Sequence, residues 1–403
     1  MPDDVDQGLS EVALERSLKS SGVGAKAATG YGVPVIDLRH PDGDAAVTAA
    51  LWDAATSVGF FTVVNHGIDL DLIDAQFAAA EAFFAQPLAT KEAQSPYARE
   101  RNSGFEHMKQ VRPSTGLADV KESIQVTAAR RAMDGRWPAH PPGFEPQSRA
   151  FVDAAHALGR RVLTLLEPRA CPANAPGTLA AAHTLWGDQG QCTLRMLHYP
   201  EMTRAQIDAL PPGSWRAGAH TDWCCVTLLF QRPGEGGLEC AANPRNPSGI
   251  TEWAPVEPTR GGIAVNVGDM LSRWSDGRLL SNLHRVRMPE VGEGADGPGG
   301  EGGAPARFSL AFFMQADKDA LVECAEHPPI TAGDYILGRI KSNFDESANA
   351  KKKKRSRGGR GGRDGETRAI KRASGPPGRR QADKPPNARR ASFYAVRPTS
   401  VDY

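Results

Sequence analysis

Hydrophobic and polar positions follow a helical period in much of the first half of the chain. Apolar side chains recur at positions 70, 73, 77, 80 and 84, a spacing that places them on one face of a helix over Asp69–Phe84. Helices are also predicted over about Asp44–Val58 and Ser148–Glu167. Strands are predicted near residues 33–38 and at Phe60–Val64, so this half combines several helices with a few strands.

From residue 193 onward, short apolar runs bounded by turn residues replace the helical period. The predicted strands are Thr193–His198, Val226–Phe230, Gly237–Cys240, Gly262–Val267 and Arg307–Gln315. Helices first and many antiparallel strands afterwards favour a mainly β fold, in which flanking helices pack around a jelly roll.

Composition fits one large domain with polar ends. The chain has 403 residues, of which 40% are hydrophobic, enough for a sizeable core. Its six cysteines show no C-x-x-C spacing, which indicates a reducing compartment. No apolar run approaches the length of a membrane span, and the first residues are acidic rather than signal-like. We therefore expect a cytoplasmic protein, with the nucleus as the alternative.

The charge is divided unevenly along the chain. Residues 349–403 hold 17 Lys and Arg against 4 Asp and Glu, whereas the remainder holds 31 basic and 43 acidic residues. A Lys/Arg run at 351–357 and Arg-Gly-Gly repeats at 357–363 predict a disordered basic tail. Such a tail could contact RNA weakly or a nuclear-import partner through residues 351–390. The alternatives are a solvated tail without a function of its own, or a tail that folds back onto the acidic body.

The first candidate for chemistry is His220-Thr-Asp222, followed by His284. Residues two apart on a strand point to the same face, so His220 and Asp222 can bind one metal together. A third imidazole from another strand would complete a two-His, one-carboxylate set that leaves one face of the metal open. This donor set is typical of non-haem Fe(II) sites that bind O₂. The alternative is an ordinary strand histidine beside a solvated aspartate.

A second candidate is the pair Arg307 and Ser309, which also share one strand face. A guanidinium offers a planar fork that matches a carboxylate, and a hydroxyl adds a further donor. Together they could hold a small dicarboxylate whose other end chelates the metal. Taken alone, Arg307 could be a surface cation and Ser309 a locally bonded hydroxyl.

With these residues in place, the chain resembles the 2-oxoglutarate and Fe(II)-dependent oxygenases of the isopenicillin N synthase-like superfamily. The match is colinear over about residues 30–345. The segments that carry it are Val33–Leu38, Gly59–Gly67, Gly104–Phe105, Asp119–Glu122, Trp137–Pro138, Gly143–Phe144, Leu194–Pro200, Asn266–Asp269 and Thr331–Tyr335, besides the H-x-D…H and R-x-S signatures.

The resemblance implies a double-stranded β-helix core and a set of cofactor residues. The implied Fe(II) ligands are His220, Asp222 and His284, and the implied 2-oxoglutarate residues are Arg307, Ser309 and Tyr199. The implied enzyme is a dioxygenase that uses O₂, with ascorbate as a reductant, to oxidise a small organic molecule. Hydroxylation is the expected outcome, with desaturation, ring closure or demethylation as the alternatives, and succinate and CO₂ are released. His198, which stands outside the metal pattern, is expected to have a packing or hydrogen-bonding role.

Three aromatic residues fall near positions that face substrate in relatives: Phe105, Trp223 and Phe313. Two alternatives to the main interpretation stay open. One is a member of the superfamily that uses Fe(II) and O₂ without 2-oxoglutarate, and the other is a weakly active body with a nucleic-acid-binding tail.

The expected organisation has four parts. Residues 1–30 would form a polar leader, 31–190 a helical N-terminal region, 191–345 the double-stranded β-helix domain and 349–403 the basic tail. The Gly-rich stretch 291–305 is predicted to be a flexible hairpin insertion within the β-helix domain.

Overall fold

The computed structural model describes residues 26–27, 32–39, 44–111, 117–245, 252–288 and 303–340. The basic tail, most of the polar leader and most of the Gly-rich stretch lie outside these residues. The strands are β1 Lys26–Ala27, β2 Val35–Asp37, β3 Phe60–Val64, β4 Gly104–His107, β5 Glu122–Thr127, β6 Thr193–Tyr199, β7 Ala217–His220, β8 Val226–Gln231, β9 Leu238–Ala241, β10 Glu252–Pro255, β11 Gly262–Val267, β12 His284–Val286, β13 Arg307–Met314, β14 Leu321–Val322 and β15 Ile330–Thr331.

Helices occupy most of the first half. They are α1 Ala45–Ser57, α2 Leu70–Phe84, α3 Leu88–Gln94, α4 Phe144–Ala170, α5 Thr178–Ala181, α6 Arg204–Asp208 and α7 Asp269–Trp274, and residues 332–340 are also helical. Among the described residues, no helix combines the length and the apolar character that crossing a bilayer requires.

Two sheets, mostly antiparallel, form the centre of the fold. The larger has eight strands in the order β2-β3-β11-β8-β13-β6-β5-β4, and the smaller has five in the order β1-β10-β9-β12-β7. One apolar cluster draws residues from both sheets, including Phe60, Leu197 and Ala311 from the larger and Leu238 and Val286 from the smaller. The two sheets therefore pack face to face as a jelly roll, as the sequence predicts.

The long helix α4 covers the outer face of the larger sheet. Phe151 on this helix packs against Phe230 of β8 with ring centroids 4.8 Å apart. Gly159 lies so close to β13 that an added Cβ would stand 2.5 Å from the sulfur of Met314. Helices and the outer sheet face together form the main core, which leaves the inner face of the jelly roll available for chemistry.

The structure confirms the main predicted elements and moves some of their ends. The helix predicted from Ser148 begins four residues earlier, at Phe144, because Gly143 adopts a φ of 79° and starts the helix there. It continues past Pro168 to Ala170, since a proline near the last turn disturbs little of the preceding helix. The strands β1, β4, β5, β10, β14 and β15 have no counterpart in the prediction, and the strand expected to carry both His220 and Asp222 ends at His220.

A buried histidine lies where α4 meets the following loops. The Nδ1–H of His183 donates to the carbonyl oxygen of Leu179 at 2.7 Å, and the backbone oxygen of His183 is bonded to Nε2 of His156 at 2.9 Å. Burial lowers the pKa of His183 to about 4, because the charged imidazolium would lose its hydration there.

We expect this histidine to make stability depend on pH. The folded pKa lies below the ordinary value of 6.5, so the stability is fully present above about pH 6.5 and is lost as the pH falls towards 4. The loss should reach about 3 kcal/mol. Urea unfolding at several pH values measures it. His183→Gln should remove this part of the slope and the exposed His140→Gln should keep it; equal slopes in all three proteins would contradict the assignment.

Candidate metal centre and cosubstrate site

Neighbouring strands bring the two candidate histidines together. His220 at the end of β7 is paired in register with His284 at the start of β12, and their ring centroids are 4.3 Å apart. Asp222 follows two residues after the strand, and its Oδ1 lies 3.7 Å from Nε2 of His284. One ligand atom from each of the three residues lies within 4.8 Å of the others. The chain thus assembles the predicted two-His, one-carboxylate set.

Backbone carbonyl groups fix the orientation of both imidazoles. The Nδ1–H of His220 donates to the oxygen of Gly218 at 2.7 Å, and that of His284 points to the oxygen of Asn282 at 3.4 Å. Each ring therefore presents Nε2 to the common centre, with its tautomer set by the bond on the other nitrogen. Two neutral nitrogens and one carboxylate oxygen fit Fe(II).

Neutral donors hold the carboxylate of Asp222. Its Oδ2 accepts from the hydroxyl of Thr227 at 2.6 Å and from the side-chain amide of Asn266 at 2.9 Å. These two residues face each other across the β8–β11 pair. Because both bonds use Oδ2, Oδ1 remains directed at the centre as a metal ligand.

The turn that carries Asp222 packs tightly on the start of α7. The amide of Asp269 donates to the backbone oxygen of Asp222 at 2.8 Å. A Cβ added at Gly268 would lie 2.2 Å from the oxygen of Cys224 and 3.1 Å from that of Asp222. Only glycine fits at this contact without moving the turn.

Arg307 lies buried at the other end of the inner face. Its Nε donates to the backbone oxygen of Glu235 at 2.9 Å, and its terminal nitrogens reach Gln231 at 2.8 Å and Ser309 at 3.3 Å. Tyr199, its cross-strand partner, has its ring 5.0 Å from the guanidinium carbon. Burial lowers the pKa of Arg307, yet an arginine stays charged. The pair with Ser309 forms as predicted, with Tyr199 beside it.

A second buried guanidinium, which was not predicted from the sequence, stands near the first. Arg216 lies 5.9 Å from the ring of Tyr199, and its guanidinium donates to the backbone oxygen of Pro305. Burial, followed by the charge of Arg307, lowers the pKa of Arg216 to about 10. Strand alternation gives no signal for it, because Arg216 precedes β7 and the register of that strand shifts between Ala217 and His220.

One cavity of about 1570 Å³ joins these groups. Its lining includes the three metal-ligand candidates as well as Arg307, Ser309 and Tyr199. A dicarboxylate held at Arg307 can therefore extend towards the metal position without leaving the cavity.

Comparisons with known proteins agree with this chemistry. Residues 33–147 match a family model described as the N-terminal region of the non-haem dioxygenase in morphine synthesis, and residues 190–316 match the 2OG-Fe(II) oxygenase superfamily. The 2-oxoglutarate-Fe(II) type oxidoreductase hxnY of Emericella nidulans is 30% identical over 323 residues, which cover 73% of this chain and 84% of that protein. The chain belongs to the 2-oxoglutarate and Fe(II)-dependent oxygenases. It is a non-haem iron dioxygenase that uses 2-oxoglutarate as cosubstrate.

Two further relatives extend the comparison. The 2-oxoglutarate-dependent dioxygenase caaD of Aspergillus niger is 28% identical, with 77% of this chain and 92% of that protein covered. A full-length Neurospora crassa protein, crystallised in complex with alpha-KG and thymine, is similar at a TM-score of 0.63 and 27% identity. The match covers 79% of this chain and 99% of the Neurospora crassa chain.

The three aromatic residues predicted near the substrate of this oxygenase lie in different places. Trp223 and Phe313 line the cavity beside the metal ligands. Phe105 lies instead in the main core, where its ring packs against Phe83 and Phe84. Its neighbour Glu106 lines the cavity, so strand alternation directs Phe105 to the opposite face.

His198 packs and forms hydrogen bonds on the helix side of the larger sheet. Its Nδ1 lies 2.8 Å from Glu122, and its ring stacks on Phe308 with centroids 4.4 Å apart. Glu122 also pairs with the buried Lys91 at 2.7 Å. The role expected for His198 is confirmed, and this residue lies outside the metal set.

The contact at Gly268 predicts a variant that loses iron with little other damage. Gly268→Ala should displace the turn that holds Asp222 and weaken Fe(II) binding by roughly 10-fold or more, as other changes around metal ligands do. Anaerobic Fe(II) titration measures the effect. Gly187→Ala is the control, because its Cβ would meet only Thr184 at 3.5 Å. Unchanged iron affinity in Gly268→Ala would show that the turn tolerates the added methyl group.

Proposed function

We propose that this oxygenase hydroxylates a C–H bond of a small organic molecule held beside the metal, with 2-oxoglutarate anchored by Arg307 and Ser309. The observation that carries the proposal is the single cavity that contains both the metal set and the buried guanidinium. When bound, Fe(II) and 2-oxoglutarate supply the oxidising chemistry, with O₂ consumed and succinate and CO₂ released. The chain contributes binding and orientation of both reactants within one cavity.

Charge supports the anchoring role of Arg307. The acceptors that its guanidinium contacts are neutral: a backbone carbonyl, an amide oxygen and a hydroxyl. A second cation, Arg216, stands nearby, and the charge of Arg307 helps to lower its pKa. The carboxylate of Glu235 acts in the opposite direction on the pKa of both arginines. A buried cation is costly unless a counterion joins it, so a ligand carboxylate at this end would be stabilised. Tyr199 would complete the site beside that carboxylate.

The cavity walls support a planar substrate that carries oxygen acceptors. Arg195 lies against the ring of Phe313, with its guanidinium carbon 5.4 Å from the centroid. Arg195 donates to Gln125 at 3.1 Å, and Gln125 donates to Glu106 at 2.7 Å, which fixes the arginine. Crystal structures of the similar Neurospora crassa protein hold thymine and 5-formyluracil. We therefore propose that Phe313 stacks on the substrate ring while Arg195 binds its oxygen atoms.

The first test separates this function from an oxidase that needs no 2-oxoglutarate. Anaerobic addition of Fe(II) and then 2-oxoglutarate should give a visible metal-to-ligand charge-transfer band in the wild type and none in His220→Ala. Arg307→Gln loses a charge-assisted fork, so we expect it to need roughly 10-fold or more 2-oxoglutarate. Arg161→Gln changes an arginine on the outer helix α4 and should behave as the wild type.

Each other outcome has a definite meaning. Bound iron without a band would contradict the use of 2-oxoglutarate and favour the cosubstrate-independent oxidase. A normal band with unchanged 2-oxoglutarate affinity in Arg307→Gln would remove Arg307 from the cosubstrate site. A panel of planar acids, pyrimidines and apolar molecules, assayed by substrate-stimulated succinate release, then identifies the substrate class.

We further propose that the basic tail, residues 349–403, binds RNA weakly and that the protein works in the cytoplasm. The surplus of basic residues and the Arg-Gly-Gly repeats support the RNA contact. Deletion of these residues should leave turnover unchanged and abolish retention of a labelled RNA, and the wild-type affinity should fall steeply with salt. RNA retention by the truncated protein would contradict the proposal. Nuclear accumulation of a tail-bearing reporter would favour a nuclear-import role instead.

A further inference from the structure

Asp269 lies directly behind the turn that presents the metal ligand Asp222. Its backbone amide donates to the oxygen of Asp222, and its Oδ2 accepts from the hydroxyl of Thr221 at 3.0 Å. Its Oδ1 accepts from Ser281 at 2.6 Å, three residues before the distal ligand His284. One carboxylate thus contacts the segments that carry two of the three metal ligands.

The counterion of Asp269 comes from the last described helix, residues 332–340, here called the closing helix. A terminal nitrogen of Arg339 lies 2.5 Å from Oδ2 of Asp269, with side-chain exposures of 2% and 6%. The same nitrogen lies 3.4 Å from the hydroxyl of Thr221. The guanidinium carbon lies 5.6 Å from the ring of Trp223, which lines the cavity.

The closing helix also forms part of the cavity wall. Ile336, Leu337 and Ile340 line the cavity, whereas Arg339 reaches behind the metal turn. Leu337 is 53% exposed, so this apolar side chain lines the cavity while it remains partly open to solvent. The closing helix therefore borders the cavity with its apolar side chains. Through Arg339 it also contacts Asp269, which lies behind the turn that carries Asp222.

We propose that Asp269 and Arg339 are positioning residues, whose buried ion pair locks the closing helix to the metal turn Thr221–Trp223. In this arrangement the pair fixes both the direction of the Asp222 carboxylate and the place of Trp223 in the wall. A planar guanidinium can contact Asp269 and Thr221 together while it lies near an indole ring, which a lysine ammonium cannot reproduce. The proposal rests on the oxygenase function for its metal, and it is independent of the substrate.

Metal binding tests this role without any substrate. The variants are Arg339→Met, Arg339→Lys, Asp269→Asn and the milder Thr221→Val. Lys91→Gln is the matched control, because it breaks another buried ion pair, with Glu122 at 2.7 Å and 7% exposure on each side, outside the cavity lining. For each protein we would measure the Tm, the Fe(II) dissociation constant under anaerobic conditions and the position of the 2-oxoglutarate charge-transfer band.

The positioning role would be supported by a loss of Fe(II) affinity that the change in Tm does not explain. Arg339→Met and Asp269→Asn should weaken Fe(II) binding roughly 10- to 100-fold and shift the band, as loss of groups that support metal ligands does. Arg339→Lys should recover part of the affinity, and Thr221→Val should show a smaller loss. Lys91→Gln should lower the Tm and keep the iron affinity within about twofold of the wild type.

Two results would overturn the proposal. One is a lower Tm in the Asp269 and Arg339 variants with iron affinity within about twofold of the wild type, which would make the pair a stability element alone. The other result applies if those variants fail to fold. In that case, a Thr221→Val variant with wild-type Fe(II) affinity and an unshifted charge-transfer band would overturn the proposal. Wild-type protein that binds iron but shows no band would count against the proposed cosubstrate, while the iron affinities would still decide this inference.

Discussion

Cross-strand pairing of His220 with His284 is the contact on which the rest of the site depends. Antiparallel neighbours in one sheet hold the two imidazoles 4.3 Å apart between ring centroids, and their backbone carbonyl contacts turn both Nε2 atoms the same way. Asp222 enters only because the chain leaves β7 in a turn that packs on α7. The metal set is therefore a consequence of sheet register, and a shift of one residue in β7 or β12 would direct one histidine away from the centre.

The parts of the site that alternate along one strand could be predicted from the sequence. Arg307 and Ser309 use a period of two along β13, as predicted. His220 and Asp222 meet at one centre, but Asp222 lies in the turn after β7 and not on the predicted strand, so the resemblance rather than alternation places it correctly. β5 (Glu122–Thr127) was missed because polar residues occupy much of it, although all six of its residues are buried. The ion pair of Asp269 and Arg339 could not be predicted, because nothing in the sequence indicates that two residues 70 positions apart contact each other. The position of Phe105 in a family motif does not reveal which face of the strand its side chain lies on. Strand alternation directs its neighbour Glu106 into the cavity instead.

Chemistry near the metal also depends on groups that are kept neutral. Burial and the charge of Asp222 raise the pKa of Cys224 well above its usual value, and burial raises that of Cys225. Neither sulfur belongs to the group of ligand atoms that meet at the metal set, although both cysteines follow its aspartate closely in sequence. Thr227 and Asn266 add hydrogen bonds to Asp222 without adding charge. These bonds use Oδ2, which leaves Oδ1 directed at the metal set.

With the proposed cosubstrate site at Arg307, the charge along the cavity would favour one orientation of a dicarboxylate. At one end the buried guanidinium of Arg307 lines the cavity, and the metal set lines it elsewhere, to which a divalent cation would add positive charge. A dicarboxylate can satisfy both ends at once, whereas a monocarboxylate of the same length leaves one of them unpaired in a medium where unpaired charge is costly. In the proposed site, recognition of 2-oxoglutarate would rest on the presence of Arg307 and the metal set in one cavity. The cavity walls around Phe313 and Trp223 are then the part of the site that can discriminate among substrates.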